Sequence, residues 1–209
     1  MTQPASLESP FLYVGGDPAL DLINTVDWTS HGPDNERLED FQQLTRWAEG
    51  AGVIDGATGR RLRRLGDARP RVAAAALTYA IVARGTLREL FGAIVRGEPA
   101  EPELARFNRL QREALAGLEV APAEGSGTGY RWRWRGEESD PRTLVWRVLW
   151  SAASLLQSDE VGRVRVCDGD DCGWMYVDRS RNGFRRWCQM RTCGTREKTR
   201  RRRVSDSAT

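Results

Sequence analysis

Apolar positions recur along most of this chain at helical spacing. Asp17 can cap a helix, Pro18 suits a first helical position, and Leu20, Leu22, Ile23 and Val26 supply an apolar face. Ahead of them, Phe11 to Gly16 reads as a short strand ending in a turn. Residues 31–36, His-Gly-Pro-Asp-Asn-Glu, read as a loop by composition. Leu38, Phe41, Leu44 and Trp47 then recur at three-residue spacing and stop at Gly50 and Gly52, which predicts a second amphipathic helix. The longest periodic run follows Pro70: Val72, Ala76, Tyr79, Ala83, Leu87, Leu90 and Ile94 keep one face apolar for about six turns. Gly97 and Pro99 end it. Such a helix could serve a homodimer or be buried within one chain, and the pattern leaves both open.

A further helix starts near Pro102 and carries Leu104, Phe107, Leu110 or Gln111, and Leu115. The period then drops to two in Leu118 to Val120 and Tyr130 to Arg135, and the glycine-rich stretch Gly125 to Gly129 between them predicts a β-hairpin. Aromatic residues and arginines alternate in its second strand. That ribbon could stack nucleic-acid bases, although an aromatic face laid on a helical core is the commoner outcome. Asp140 and Pro141 repeat the cap-plus-proline signature before Leu144, Val145, Val148, Leu149, Ala152, Leu155 and Leu156, with Trp146 and Trp150 one turn apart. The pattern contains no internal repeat.

Composition sharpens this picture. With 209 residues, 40% of them hydrophobic, and 8 Trp, 5 Phe and 4 Tyr, there is enough apolar mass for a core, which excludes wholesale disorder. No apolar run approaches the roughly 18 residues of a membrane span. Met1 to Pro10 is polar and lacks a secretory layout, so a cytoplasmic protein with reduced thiols is expected. The formal charge of +3 is unevenly spread. Residues 1–162 hold 19 Arg against 23 acids, a net of −4, whereas residues 163–209 hold 12 Arg and one Lys against six acids, a net of +7.

All four cysteines lie in the basic part. Cys167, Cys172, Cys188 and Cys193 form two Cys-x4-Cys pairs fifteen residues apart, a spacing that suits one tetrahedral four-thiolate zinc. Four protein thiolates close the coordination shell, so the ion expected is a single structural Zn2+. Metal binding would supply folding energy that so short a segment lacks. Whether the site is permanent or releases metal on oxidation is left open by the spacing.

Between the pairs, Trp174 to Val177 suggest a short strand, and Asp178 to Gly183 a turn. The stretch Phe184 to Met190 reads as helical. Trp174 and Trp187 read as the core of this module rather than as base-stacking platforms. The fold class expected is therefore mainly α: a helical domain with one β-hairpin over residues 1–162, then a small treble-clef-like four-cysteine zinc finger with a basic C-terminal helix over 163–209.

Arginines crowd this module: Arg179, Arg181, Arg185, Arg186, Arg191, Arg196, Arg200, Arg201, Arg202 and Arg203, with Lys198. A zinc held by four thiolates carries −2, which still leaves the segment strongly positive. DNA is the partner this combination suggests, with phosphate contacts giving affinity and base-edge contacts giving sequence preference. The candidate nucleic-acid-binding residues are these eleven together with Asn182 and Thr195. A zinc-stabilised adaptor docking on an acidic protein is the alternative. A small effector in a Trp- or Tyr-lined pocket of the helical domain is compatible with composition, but no residue names a ligand. The only histidine, His31, lies in no metalloprotease-type motif, so no enzyme is expected.

Two stretches carry a family resemblance. Cys172-Gly173-Trp174, Tyr176 to Asn182, Arg185 to Met190 and Cys193-Gly194-Thr195-Arg196-Glu197-Lys198 resemble the CGNR zinc finger, whose eponymous asparagine is Thr195 here. Gly15 to Val26 resembles the opening of the ABATE domain, a mostly helical partner of that finger. The resemblance implies a bacterial, stress-induced transcription regulator with a zinc-dependent DNA-binding tail. Threonine keeps a hydroxyl but loses the paired donor and acceptor of an amide.

Overall fold

The computed structural model describes residues 10–123, 128–137 and 139–206. Among these the chain is mainly helical, with three antiparallel strand pairs. Helix α1 (Pro18–Ile23) starts where its sequence demands, the Asp17 carboxylate accepting from the Ala19 amide at 2.8 Å. It is only six residues long, yet Ala19, Leu20, Leu22 and Ile23 are wholly buried. Each large side chain among them contributes roughly 1.5–3 kcal/mol. The short helix can bury itself because it lies against both long helices of the core, α4 (Pro70–Arg96) and α6 (Thr143–Leu156).

Helix α2 (Phe41–Gly50) is capped by Asp40, which accepts from the Gln43 amide at 2.7 Å. Helix α4 buries Ala76, Ala80, Ala83, Leu87 and Leu90 and ends at Gly97, whose φ of +67° closes the last turn. Helix α5 (Glu101–Ala116) packs on α4 and α6 through Phe107 and Ala114, while Leu104 and Leu115 remain exposed.

Three local expectations change, and one helix is new to the picture. Phe11 to Val14 is extended but joins no sheet, and its continuation meets the rest of the chain through Gly15, whose carbonyl accepts from the Val177 amide at 2.8 Å. The 31–36 loop is the turn and second strand of a hairpin, β1 (Asp27–Thr29) with β2 (Gly32–Asp34). A helix without a clear periodic signal, α3 (Gly56–Ala68), packs on α2. A Cβ at Gly66 would lie 2.7 Å from Phe41, so glycine there permits helix contact rather than breaking the helix. The stretch Phe184 to Met190 is not helical up to Gln189, because its backbone is bonded sideways: the Arg185 carbonyl accepts from Tyr176 Oη at 2.6 Å and the Arg186 carbonyl from the Asp168 amide at 2.9 Å.

The aromatic hairpin forms as β3 (Leu118–Pro122) paired with β4 (Tyr130–Trp134). Residues 124–127, including Gly125 and Gly127, lie outside the described residues. Of its aromatic residues only Trp134 enters the core. Tyr130 and Trp132 are exposed, and the neighbouring arginines are matched by carboxylates, Arg133 with Glu119 and Arg131 with Glu137.

The last strand pair, β5 (Val164–Val166) with β6 (Met175–Val177), carries the first cysteine pair in its connection. Val164, Met175 and Val177 belong to the same apolar core as α1, α4 and α6. Asn24, just after α1, fastens β6 in both directions: its Nδ2 donates to the Met175 carbonyl at 2.8 Å, and its Oδ1 accepts from the Met175 amide at 2.9 Å. A side-chain amide thus takes the place of a neighbouring strand.

Candidate metal centre and basic face

The chain leaves β5 at Val166, and Cys167 begins a tight knuckle closed by a 3.0 Å bond from the Cys172 amide to the Gly169 carbonyl. Asp171 supports the turn with a φ of +53°, and its carboxylate accepts from the Ser30 amide of the β1–β2 turn at 2.6 Å. Gly173 lies flat on Trp28, where a Cβ would fall 2.6 Å from the Trp28 Cβ. Arg88 of α4 spans this seam, stacking on the Trp28 ring at 5.1 Å and donating to the Gly173 carbonyl at 2.6 Å.

After β6 the buried Asp178 organises the return. Its carboxylate accepts from the amides of Ser180 at 2.9 Å and Arg185 at 3.0 Å. The irregular segment that follows then delivers Cys188, and a π-helical turn (Met190–Gly194) delivers Cys193 immediately before α7 (Thr195–Asp206). One ligand pair therefore comes from a knuckle within a hairpin and the other from the entry to a helix.

The four sulfurs lie within 4.8 Å of one another. Zinc–sulfur bonds of about 2.3 Å in a tetrahedron require S···S separations of about 3.8 Å. The Cys172–Cys188 and Cys188–Cys193 separations are 3.9 and 3.6 Å. Cys167 Sγ also accepts from the amides of Cys188 at 3.2 Å and Gly169 at 3.3 Å, contacts that favour thiolate. Hydrogen bonds from the Cys172 and Cys188 thiols, together with these amides, hold the Cys167 thiol well below its ordinary value, while the same contacts push Cys188 up. The donor set and its spacing fit one structural zinc. When bound, such an ion cross-links the knuckle to the start of α7.

The basic residues divide into two groups. Arg185 is turned inward: its guanidinium donates to the carbonyls of Trp187 at 3.0 Å, Val14 at 3.3 Å and Cys188, and lies 4.0 Å from the Tyr176 ring centre. Arg179 forks onto Glu160 at 2.6 and 2.7 Å and donates to the Gly16 carbonyl at 2.9 Å. Arg186 pairs with Asp168 at 2.8 Å and stacks on Trp187. Arg181 and Asn182 are exposed at the turn.

The second group lines a surface groove of about 610 Å3 formed by Arg191, Thr192, Thr195, Arg196, Thr199, Arg200 and Arg203. Among the described residues that line it none is acidic, while Arg196 and Arg200 also border an adjoining cavity with Asp170 and Glu197. Arg200 pairs with Glu197 at 2.8 and 2.9 Å. Thr195 donates its hydroxyl to the Met190 carbonyl at 3.0 Å, which pins the π-helical turn to the first residue of α7. At 100° per residue Lys198 falls on the far side of the helix, while Arg202 falls at the groove's edge, beside Thr195. The Arg201 side chain lies outside what the structure describes.

A smaller cavity of about 230 Å3 sits between the β1–β2 hairpin and the finger, bordered by Asp27, Trp28, Arg37, Trp174, Arg196 and three of the cysteines. Arg37 stacks on Trp174 at 5.3 Å and pairs with Asp27 at 2.9 Å, while Trp174 Nε1 donates to Asp27 at 3.1 Å. The residues that join the finger to the helices, Asn24, Trp28, Arg37 and Arg88, carry no sequence signal of that role. Asn24 alone falls within a motif, the stretch Gly15 to Val26.

Among the described residues no helix is long and apolar enough to cross a membrane. No curated protein matches the chain. Residues 163–204 match the family model of the CGNR zinc finger. Residues 16–159 match that of ABATE, described as "Putative stress-induced transcription regulator". The first of these stretches holds the four clustered sulfurs and the second spans α1 through α6, so the chain belongs to the ABATE family and carries a CGNR zinc finger after its helical part.

Proposed function

We propose that the protein is a zinc-dependent DNA-binding transcription regulator, in which residues 163–209 contact DNA and residues 1–162 form the body that controls them. The observation that carries this reading is the groove along α7: its arginines and threonine hydroxyls share one face, at a helix entry fixed by two cysteines. Guanidinium groups give charge-assisted bonds to phosphate oxygens, and the Thr192 hydroxyl can add a neutral one, those of Thr195 and Thr199 donating to backbone carbonyls. Arg191, Arg196 and Arg203 are the phosphate contacts we assign first, with Arg200 shared between Glu197 and the backbone of DNA. Arg185 and Arg179 serve the finger's own structure instead.

Three to four phosphate contacts imply a log–log salt slope of roughly −3 to −4, at about 0.9 per contact. Fluorescence anisotropy on duplexes recovered by genomic footprinting measures it. Arg196→Ala should weaken binding across sequences and make the slope shallower by about 0.9. Absence of salt-dependent DNA binding by the zinc-loaded protein would refute the reading and leave the groove to an acidic protein surface.

A further inference from the structure

We infer that the chain forms a two-fold homodimer through the outer face of α4, the two helices packing antiparallel. The inner face of α4 is buried in the core, but its outer face exposes Val82 by 52%, with Ile81, 38% exposed, on its flank. From Val72 to Gly85 this face bears no charged side chain. Arg84, the only charged residue in that stretch, is turned inward onto Glu36 and Thr25. A solvated helix face is ordinarily polar and charged, and 29% of this chain is charged. Even Thr78 asks nothing of water for its donor, since its hydroxyl donates to the Ala74 carbonyl at 3.0 Å.

Gly85 adds a second observation. A Cβ there would meet nothing within 4 Å. Packing within the chain therefore does not require glycine at this helix-interior position, where it weakens the helix. The close approach of an outside helix does.

The order of residues identifies the partner. Arg71, Ala75, Thr78, Val82, Gly85 and Glu89 step by four, three, four, three and four, the spacing of paired helices, within an arc of about 80°. These positions reflect about Ala80. An antiparallel two-fold pair consequently sets Ala75 against the partner's Gly85 and Thr78 against the partner's Val82. It also sets Arg71 against the partner's Glu89 at both ends of a contact about 27 Å long. A parallel pair would instead place like charges together. Among the described residues Arg71 makes no ion pair, and Glu89, which meets Arg106, keeps 59% of its side chain exposed. Such self-complementarity is what an isologous interface needs, and a different protein has no reason to match it. Two helices about 10 Å across in contact over this length cover on the order of 500 Å2 in all, so the association is reversible and rises with concentration.

Sedimentation velocity of the full zinc-loaded chain across a concentration series tests this. The wild-type sedimentation coefficient should rise with concentration. Val82→Glu, at an exposed position and with an unchanged circular dichroism spectrum, should raise the dissociation constant on the order of a hundredfold by setting like charges across the axis. Arg71→Glu and Glu89→Arg should each weaken the dimer, and the two together should restore it. Wild-type protein that stays monomeric at every concentration would overturn the proposal. A dimer indifferent to Val82→Glu would also do so, placing the contact elsewhere, such as the exposed Tyr130 and Trp132. Failure of the double charge swap to rescue would reject the antiparallel register.

Discussion

Replacing Asn24 by alanine should loosen the joint between the helices and the finger without touching a zinc ligand. Asn24 is 3% exposed, and its amide makes two hydrogen bonds to the backbone of Met175, at 2.8 and 2.9 Å. Alanine removes both and strands a buried N–H and a buried carbonyl in a strand only three residues long. Each stranded group costs about 1–3 kcal/mol, so the expected loss is about 2–6 kcal/mol. For a chain of this size each kcal/mol lowers Tm by about 2–4 °C, which places the midpoint roughly 5–20 °C below wild type. Scanning calorimetry in zinc-saturated buffer reads it directly. Asn24→Asp makes a sharper companion: its carboxylate can still accept from the Met175 amide but presents a second acceptor to the Met175 carbonyl. That variant should recover stability relative to wild type as pH falls, because the protonated acid regains a donor and its folded-state pKa lies above the unfolded one. A Tm within about 2 °C of wild type for Asn24→Ala, smaller than the loss of even one buried bond, would refute the view that this amide acts as the missing strand.

Asp21 is a different case, since burial pushes its carboxyl up to about 6 from 3.8, the Gly15 amide opposing and Asp17 assisting. The native state then holds the proton more tightly than the unfolded chain, so this group costs stability as pH rises from 4 to 6, by about 3 kcal/mol at most. Asp21→Asn keeps an acceptor for Gly15 and should be more stable than wild type at pH 7, with the gain gone near pH 4; equal denaturation midpoints at both values would contradict it. Chelation of zinc, or Cys188→Ser, should unfold α7 and the segment leading to it, and elemental analysis of the native protein should find about one zinc per chain. A metal-free protein whose α7 amides stay protected from hydrogen exchange would count against a structural metal. Arg185→Ala should lower zinc affinity by about 10–100-fold, as loss of a group supporting metal ligands does, because its guanidinium holds the Cys188 carbonyl; a competition titration with unchanged zinc affinity but weakened DNA binding would return Arg185 to the DNA-contacting set.

Much of the site was legible because thiolate spacing is a local code. Two Cys-x4-Cys pairs define a tetrahedral site whatever surrounds them, and the sulfurs meet at the separations zinc requires. Helix α4 was equally plain, its apolar period continuing for about six turns until Gly97 stopped it. Helix α3 was not legible, and the glycine within it serves packing: Gly66 is the point where α3 rests on Phe41. The 184–189 stretch has helical periodicity, but Tyr176, Asp168 and Asp178 capture its backbone groups from a distance, and no local pattern records such partners. Arg185 and Arg186 are adjacent and chemically identical. Only the fold shows that one clasps Tyr176 and the other lies on Trp187.

The placement of β5 and β6 within the helical core binds two equilibria together. Val164, Met175 and Val177 must be in place for the knuckle between them to hold its cysteines at the right separation, and those same residues help complete the core around α1. Zinc that binds only the folded arrangement adds its mass-action free energy to the stability of the whole chain rather than to the last quarter of it. The coupling is reciprocal: unfolding of the helices lowers metal affinity by the same factor by which metal loss favours that unfolding. Cellular zinc supply would then set the abundance of this protein through its susceptibility to proteolysis as well as the state of its finger.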